Sequence, residues 1–393
     1  MSTLRANHRG TYSPATRPLP ARDAGLSLIE LLIAMTLGLL LVSGMIAVFA
    51  GNKRSSELNS AMADIQENAR FAMDSIASEI RMSGFQGCLD LNFVTPDLLG
   101  NNLPTTDLQS TAAMGSIIGN GNLWSPAPPP GFVSANHEAV PGTHALTLQL
   151  GSPSTYPLVQ AVGTGGVPDT VGPVVVDTTP GISREEFNLS VNDFAIIADC
   201  NGADIFRISS VGTGANTATI GHAASVNSSG SFTRIYAGGT DATTKLMRFV
   251  SSVYYVGDTG QTNKNGDAIT SLYRQSLPYG DMALNPPVEM VSGVQDMRIS
   301  FGIRTGEESL TYVLASDPLY DPRQIESIRI GLLLASRDRI AQDDDSNTYV
   351  LAGQMIVPDT ASGSTAAGTY ESDKRYRLAF NTTVKVRNRR TRP

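Results

Sequence analysis

The sequence predicts an α+β chain in which one long N-terminal helix lies on antiparallel β-sheet. Three observations predict it. No proline occurs between Pro20 and Pro96. Within that interval an unbroken apolar run leads into apolar residues at helical spacing. From Asp193 onward, segment after segment alternates apolar and polar residues with a period of two. A long helix covered by such strands is an α+β arrangement.

The apolar run spans Leu26 to Ala50, and its one charge is Glu30. It is long enough to cross a bilayer as a helix. Before it lie Arg5, Arg9, Arg17 and Arg22 against Asp23, a local charge of +3 in a chain of −7. That asymmetry predicts a cytoplasmic N-terminal side and a large part beyond the membrane. A secretory signal cut after Ala50 is a poorer fit, because the run exceeds an ordinary signal core of about 7–15 residues and contains Glu30. A plain anchor leaves Glu30 unexplained. An ionisable group in a membrane helix is costly and commonly has a partner.

Beyond Gly51, residues Leu58, Met62, Ile65, Ala69, Ala72, Ile76 and Ile80 recur every three or four positions. They form one apolar face of a helix that Ser83-Gly84 ends. A continuous helix from Leu26 to Ser83 would measure about 87 Å. Residues 85–190 are rich in Pro, Gly and Asn and read as a loop region with few strands, Ala145–Leu150 being the clear one. Residues 191–393 read as a β-rich domain. Its strands include Ala195–Cys200 and Asp204–Val211 around an Asn201-Gly202 turn, Thr244–Gly257, Ser271–Leu277, and alternating sets from Met297, Ile328 and Tyr376.

Composition narrows the function. Charged residues are 17% of the chain, below the usual ~25%. The acidic balance gives no footprint for nucleic acid. Two cysteines and four histidines leave little for a metal centre or for histidine catalysis. A nucleophile elbow, a P-loop, a dinucleotide fingerprint and HExxH are all missing. The sequence therefore argues against an enzyme and against a cofactor or resident metal. Asp343-x-Asp345-x-Asn347 has the opening of a calcium loop, but Thr348 and Gln354 stand where Gly and Glu belong. It reads as a solvated acidic loop, with calcium as the other reading. Asn263-x-Asn265-x-Asp267 reads as a turn. Cys88 and Cys200 can form one bridge in an oxidising compartment, two buried free thiols being the alternative.

Gly25, the apolar run and Glu30 five residues after Gly25 resemble the type III leader of type IV pilins and type II secretion pseudopilins. The segments DFAIIADCNGADIFRISS, KLMRFVSSVYYVGD, IESIRIGLLLASRDR and FNTTVKVRNR resemble the PilW family of minor pilins. The resemblance is weakest between about Asn92 and Ser190. It implies a leader at 1–25, a membrane and filament-core helix at 26–50 and an amphipathic pilin-domain helix at 51–84. A prepilin peptidase would cut between Gly25 and Leu26 and N-methylate the new amine on Leu26. Glu30, one turn along, would pair with the Leu26 amine of a neighbouring subunit. The implied partners are that peptidase, other minor pilins, the major pilin, and a large tip adhesin. The implied location is the inner membrane with a periplasmic domain, then the pilus tip. A J-type pseudopilin of a type II secretion system is the alternative; the long Pro/Gly region favours the minor pilin.

Overall fold

The computed structural model describes residues 27–388, apart from 92, 106, 130–131, 133–136, 164–171, 180–186, 240–242, 277–284, 307–308 and 361–367. Helix α1 is Leu28–Met82. The strands that follow are β1 (Asp97–Leu98), β2 (Ala113–Gly119), β3 (Leu123–Ser125), β4 (His144–Pro157), β5 (Val174–Asp177), β6 (Phe194–Ala198) and β7 (Ala203–Arg207). A short helix α2 (Leu108–Thr111) lies between β1 and β2. Then come β8 (Ser210–Thr213), β9 (Thr217–Gly221), β10 (Lys245–Thr262), β11 (Ala268–Ser276), β12 (Val288–Ser292), β13 (Val294–Arg304) and β14 (Leu310–Val313). The last are β15 (Ile325–Arg339), β16 (Tyr349–Leu351), β17 (Gln354–Pro358), β18 (Gly368–Tyr370) and β19 (Arg375–Lys385). The chain divides into two compact units at Ser56/Glu57, so α1 contributes to both.

In the first unit α1 carries its apolar residues outward. Leu28, Leu41 and Phe49 are about three-quarters exposed, at 77%, 70% and 71%. The helix runs unbroken through Gly38, Gly44 and Gly51. In the second unit the same helix buries Ile65, Ala69, Ala72, Ile76, Ala77 and Ile80. On that face Ala69, Ala72 and Ala77 are interspersed with the three isoleucines, and all six belong to the core shared with the sheets. Gly84, with φ +73°, turns the chain off the helix, and its N–H bonds Gln149 O at 2.9 Å.

Two sheets share the helix face. The larger runs β1-β7-β6-β10-β4-β2-β3, with β11 on β10 and β12 on β11. The smaller runs β14-β13-β15-β19. Leu146, Leu148, Tyr254 and Leu272 from the first, and Met297, Ile299, Phe301, Ile328, Ile330 and Leu332 from the second, join the helix residues in one core. The sheets are joined by Gly293. Its N–H bonds Thr270 O of the larger sheet, and its carbonyl accepts Ala335 N–H of the smaller one. With φ +83° and Ala335 O at 2.7 Å from where a Cβ would stand, only glycine fits without strain.

The segment 85–190, expected to hold few strands, supplies β1 to β5, and β4 is 14 residues long. β4 pairs with β10 from Leu146 through Pro157. Its sequence after Leu150 is Gly-Ser-Pro-Ser-Thr-Tyr-Pro. Turn-forming residues hid a strand there that long-range pairing with β10 holds extended. Residues 85–112 cover the other face of β6 and β10 through Leu89, Leu91, Leu103 and Leu108. Behind the sheet, β5, β9 and β8 form a separate three-stranded layer over Ile197, Phe206 and Leu246. Trp124 and Phe132 cap Tyr255, with ring centroids 6.0 and 5.4 Å away.

β15 was expected to be apolar on one face only, and the structure buries both. Ile328, Ile330, Leu332 and Leu334 face α1, while Leu333 packs on Leu351, Ile356 and Tyr370 of the β16-β17-β18 layer. Gly331 admits that layer: a Cβ there would stand 2.6 Å from Ala352 N. The smaller sheet thus has the helix on one side and a strand layer on the other.

Candidate assembly site

Gly25 and Leu26 lie outside the described residues. Glu30 is exposed, in the first turn of α1. Its carboxylate meets Ser27 N–H at 3.4 Å, and Ser27 Oγ accepts Glu30 N–H at 3.2 Å. This is a capping box, Ser-x-x-Glu, which satisfies two N–H groups that a helix start leaves open. The sequence carries this signal openly as Ser27-Leu28-Ile29-Glu30, and the charge-centred reading of Glu30 passed over it. The acidic group also suits the positive end of the helix dipole. Glu30 therefore has a local role. Its exposure leaves the carboxylate accessible to a second partner.

Behind this turn, Leu28 to Phe49 presents an exposed apolar surface on every side. A helix apolar all round is covered by a membrane or by other helices. By length and composition it can cross a bilayer.

Cys88 and Cys200 form a disulfide, their Cα atoms 4.9 Å apart. The bridge ties the chain leaving α1 to the end of β6, and both cysteines are exposed. The two acidic motifs meet in one network. Asp267 is paired with Arg339, Asp373 with Arg375 and Arg377, and Asp345 with Arg377. The hydrogen bond from Arg339 holds the Asp267 carboxyl below its usual range, against the effect of burial. Burial alone would raise Asp345, but Asn347, Tyr349 and Arg377 together bring it down. Asp267, Glu371 and Asp373 stand close enough for a cation. Guanidinium groups already balance them, so the donor set fits internal ion pairing.

Three histidines lie apart, each against backbone. His144 Nδ1 accepts Ile299 N–H at 3.1 Å. Burial and the nearby Arg298 push its pKa down to about 3, so it stays neutral. His222 meets Gly172 O, and His137 meets Asp258 O.

The family model for type IV pilus-assembly protein W, PilW, matches residues 253–388. The prokaryotic N-terminal methylation motif matches residues 20–46. Over these residues the chain is similar to PilW and to prepilin N-termini. The two matches fall on separate parts of it. The motif covers the leader junction and the start of α1. The PilW match covers the end of β10 through β19, the strands that build most of the helix-facing core. Among solved structures, a type IV-like pilin from Thermus thermophilus is similar at 14% identity, over 35% of this chain and 78% of that one, with a TM-score of 0.19. A likeness that weak carries no argument. No curated protein matches the chain. The methylation motif and the apolar helix that it covers together support a membrane anchor at this end of the chain.

Proposed function

We propose that this chain is a minor pilin that joins a small priming complex and sits at or near the tip of a type IV pilus. The observation that supports it is the two-part helix: an exposed apolar half that lies largely within the prepilin motif, and a buried half that carries a large β domain. The first half suits a bilayer and then a filament core. The second supports a domain on the periplasmic side. The two three-stranded layers built on that domain add bulk, which suits an end position where fewer neighbours pack around it.

In this reading the peptidase cuts between Gly25 and Leu26 and N-methylates Leu26. The Leu26 amine is then a cation beside the capping box of α1. Glu30 of a neighbouring pilin can pair with it. A buried pair of this kind sets axial register, because leaving either charge unpaired costs about 3–5 kcal/mol. Partners are the peptidase, the other minor pilins, the major pilin, and a large tip adhesin. The protein has no catalytic role, no cofactor and no nucleic-acid partner.

Immunogold labelling of sheared pili tests the position. Label confined to one end supports the reading, and label spaced along the shaft overturns it. N-terminal sequencing of the membrane-extracted chain should begin at N-methylated Leu26. An intact Met1, or a start at Gly51, would sink the processing step.

A further inference from the structure

Strands β1 and β7 run parallel, and their register sets Asp97 directly beside Asp204. Like charges in that position repel. Asp204 is fully buried, whereas Asp97 is exposed at the edge of the sheet. Thr233 stands between them. Its Oγ1 lies 2.9 Å from Asp97 Oδ2 and 2.7 Å from Asp204 Oδ1. Asp204 Oδ2 accepts the Thr233 N–H at 3.1 Å and the Tyr236 hydroxyl at 2.9 Å.

The protons can be counted. A threonine hydroxyl brings one. It can serve one carboxylate, so the second contact at hydrogen-bond distance needs a proton on a carboxyl oxygen. With that proton on Asp204 every contact is satisfied. Oδ1–H donates to Thr233 Oγ1, Oγ1–H donates to Asp97, and Oδ2 becomes a carbonyl oxygen with two donors. The reverse assignment would ionise the buried group and neutralise the exposed one, which desolvation opposes.

We propose that Asp97 and Asp204 share one proton through Thr233, making a clasp that is fastened while Asp204 is protonated and loosens when it ionises. The clasp joins β1, β7 and the segment that leads from β9 toward β10. Burial raises Asp204 above the usual carboxylate range, and the Asp97 charge adds to this against the donors from Thr233 and Tyr236. The surrounding charges are accounted for. Arg234, on the same segment as Thr233, is paired with Asp199 at the end of β6. Tyr236 is pushed up by burial and remains a donor. The β6 neighbour of Asp204 is the apolar Ile197. His222 packs on Phe232 and bonds Gly172 O instead. Asn227 holds the same segment to Arg207 through backbone N–H and C=O, a tie without a titrating group.

The sign follows from the direction of the shift. A carboxyl whose folded pKa lies above its unfolded value contributes stability at low pH and loses it as pH rises through the folded value. The window therefore lies above the ordinary carboxylate range.

Infrared spectra of the detergent-solubilised full chain test the clasp. A carboxylic-acid C=O band should persist after ordinary carboxylates have ionised, then vanish at higher pH. In Asp204→Asn the share of the band that titrates with Asp204 should be gone, leaving only what the buried Asp296 contributes. In Asp97→Asn the band should vanish at lower pH, because the repelling charge is gone. Asp204→Asn is neutral and keeps both donor and acceptor. Its urea midpoint should match wild type on the acid side and lose the decline with rising pH. A wild-type chain with no such band above the ordinary carboxylate range overturns the proposal. So does an Asp97→Asn chain whose band titrates at the wild-type pH.

Discussion

The two halves of α1 belong to one helix and are stabilised by different surroundings. From Leu28 to Phe49 its large apolar side chains are exposed. From Ile65 to Ile80 one face is sealed under two sheets. A helix holds its own backbone hydrogen bonds, but it needs a partner to bury its side chains. The second half finds that partner within the chain. The first half must find it outside the chain, in lipid or against other helices. The difference teaches that folding and assembly are written on the same helix in separate stretches, so mutations in each should fail in different assays.

The largest expected effect lies at the end of the folded half. Replacing both Cys88 and Cys200 by Ser opens a bridge that spans 112 residues. The chain-entropy model puts the loss at about 4–5 kcal/mol. Urea unfolding of the detergent-solubilised chain should show it, and dithiothreitol should reproduce it in the wild type. An unmoved midpoint would refute the bridge's role.

Next comes a direct contrast along the helix. Ile76→Ala empties a fully buried position and should cost about 3 kcal/mol. Leu41→Ala removes a side chain that is 70% exposed and should leave the same midpoint within about 0.5 kcal/mol. Equal losses at the two positions would erase the distinction between the halves.

A smaller loss is expected at the joint between the sheets. Gly293→Ala forces a Cβ toward Ala335 O at positive φ and should cost about 1–3 kcal/mol. Hydrogen exchange should quicken at the amides of residue 293 and Ala335, which donate the two bonds across the joint. Exchange unchanged at either residue would mean the sheets are joined elsewhere.

The smallest effect on folding should be the largest on assembly. Ser27→Ala removes the cap but keeps the Glu30 charge. Glu30→Gln keeps a cap acceptor but removes the charge. Each should shift stability by about 1 kcal/mol or less. Incorporation into sheared pili should fall for Glu30→Gln and hold for Ser27→Ala. The opposite ranking would make Glu30 a capping residue and nothing more.

Sequence patterns carried much of this outcome. Helix α1 was legible because a proline-free interval and 3–4 spacing are local signals, and the observed Leu28–Met82 sits within two residues of the expected span. The strands after Asp193 were legible because one buried face enforces a period of two. The length of β4 was hidden by its Gly-Ser-Pro-Ser tract, since extension there comes from pairing with β10 rather than from propensity. The capping box was legible but overlooked, because Glu30 drew attention as a charge in a membrane run. The Asp97–Thr233–Asp204 clasp had no sequence signal at all: 107 residues separate the two acids.

By itself, the sequence determined the prepilin motif, the apolar half-helix and the alternation of the later strands. All three rest on short-range periodicity, which tertiary contacts do not need to be known to read. Only the tertiary structure decided that β15 is buried on both faces, that Gly293 joins two sheets, and that two acidic motifs share one set of arginines. These depend on which segments meet after the chain has closed loops of many residues. A side chain's neighbours across such a loop leave no spacing rule in the chain that folds to make them.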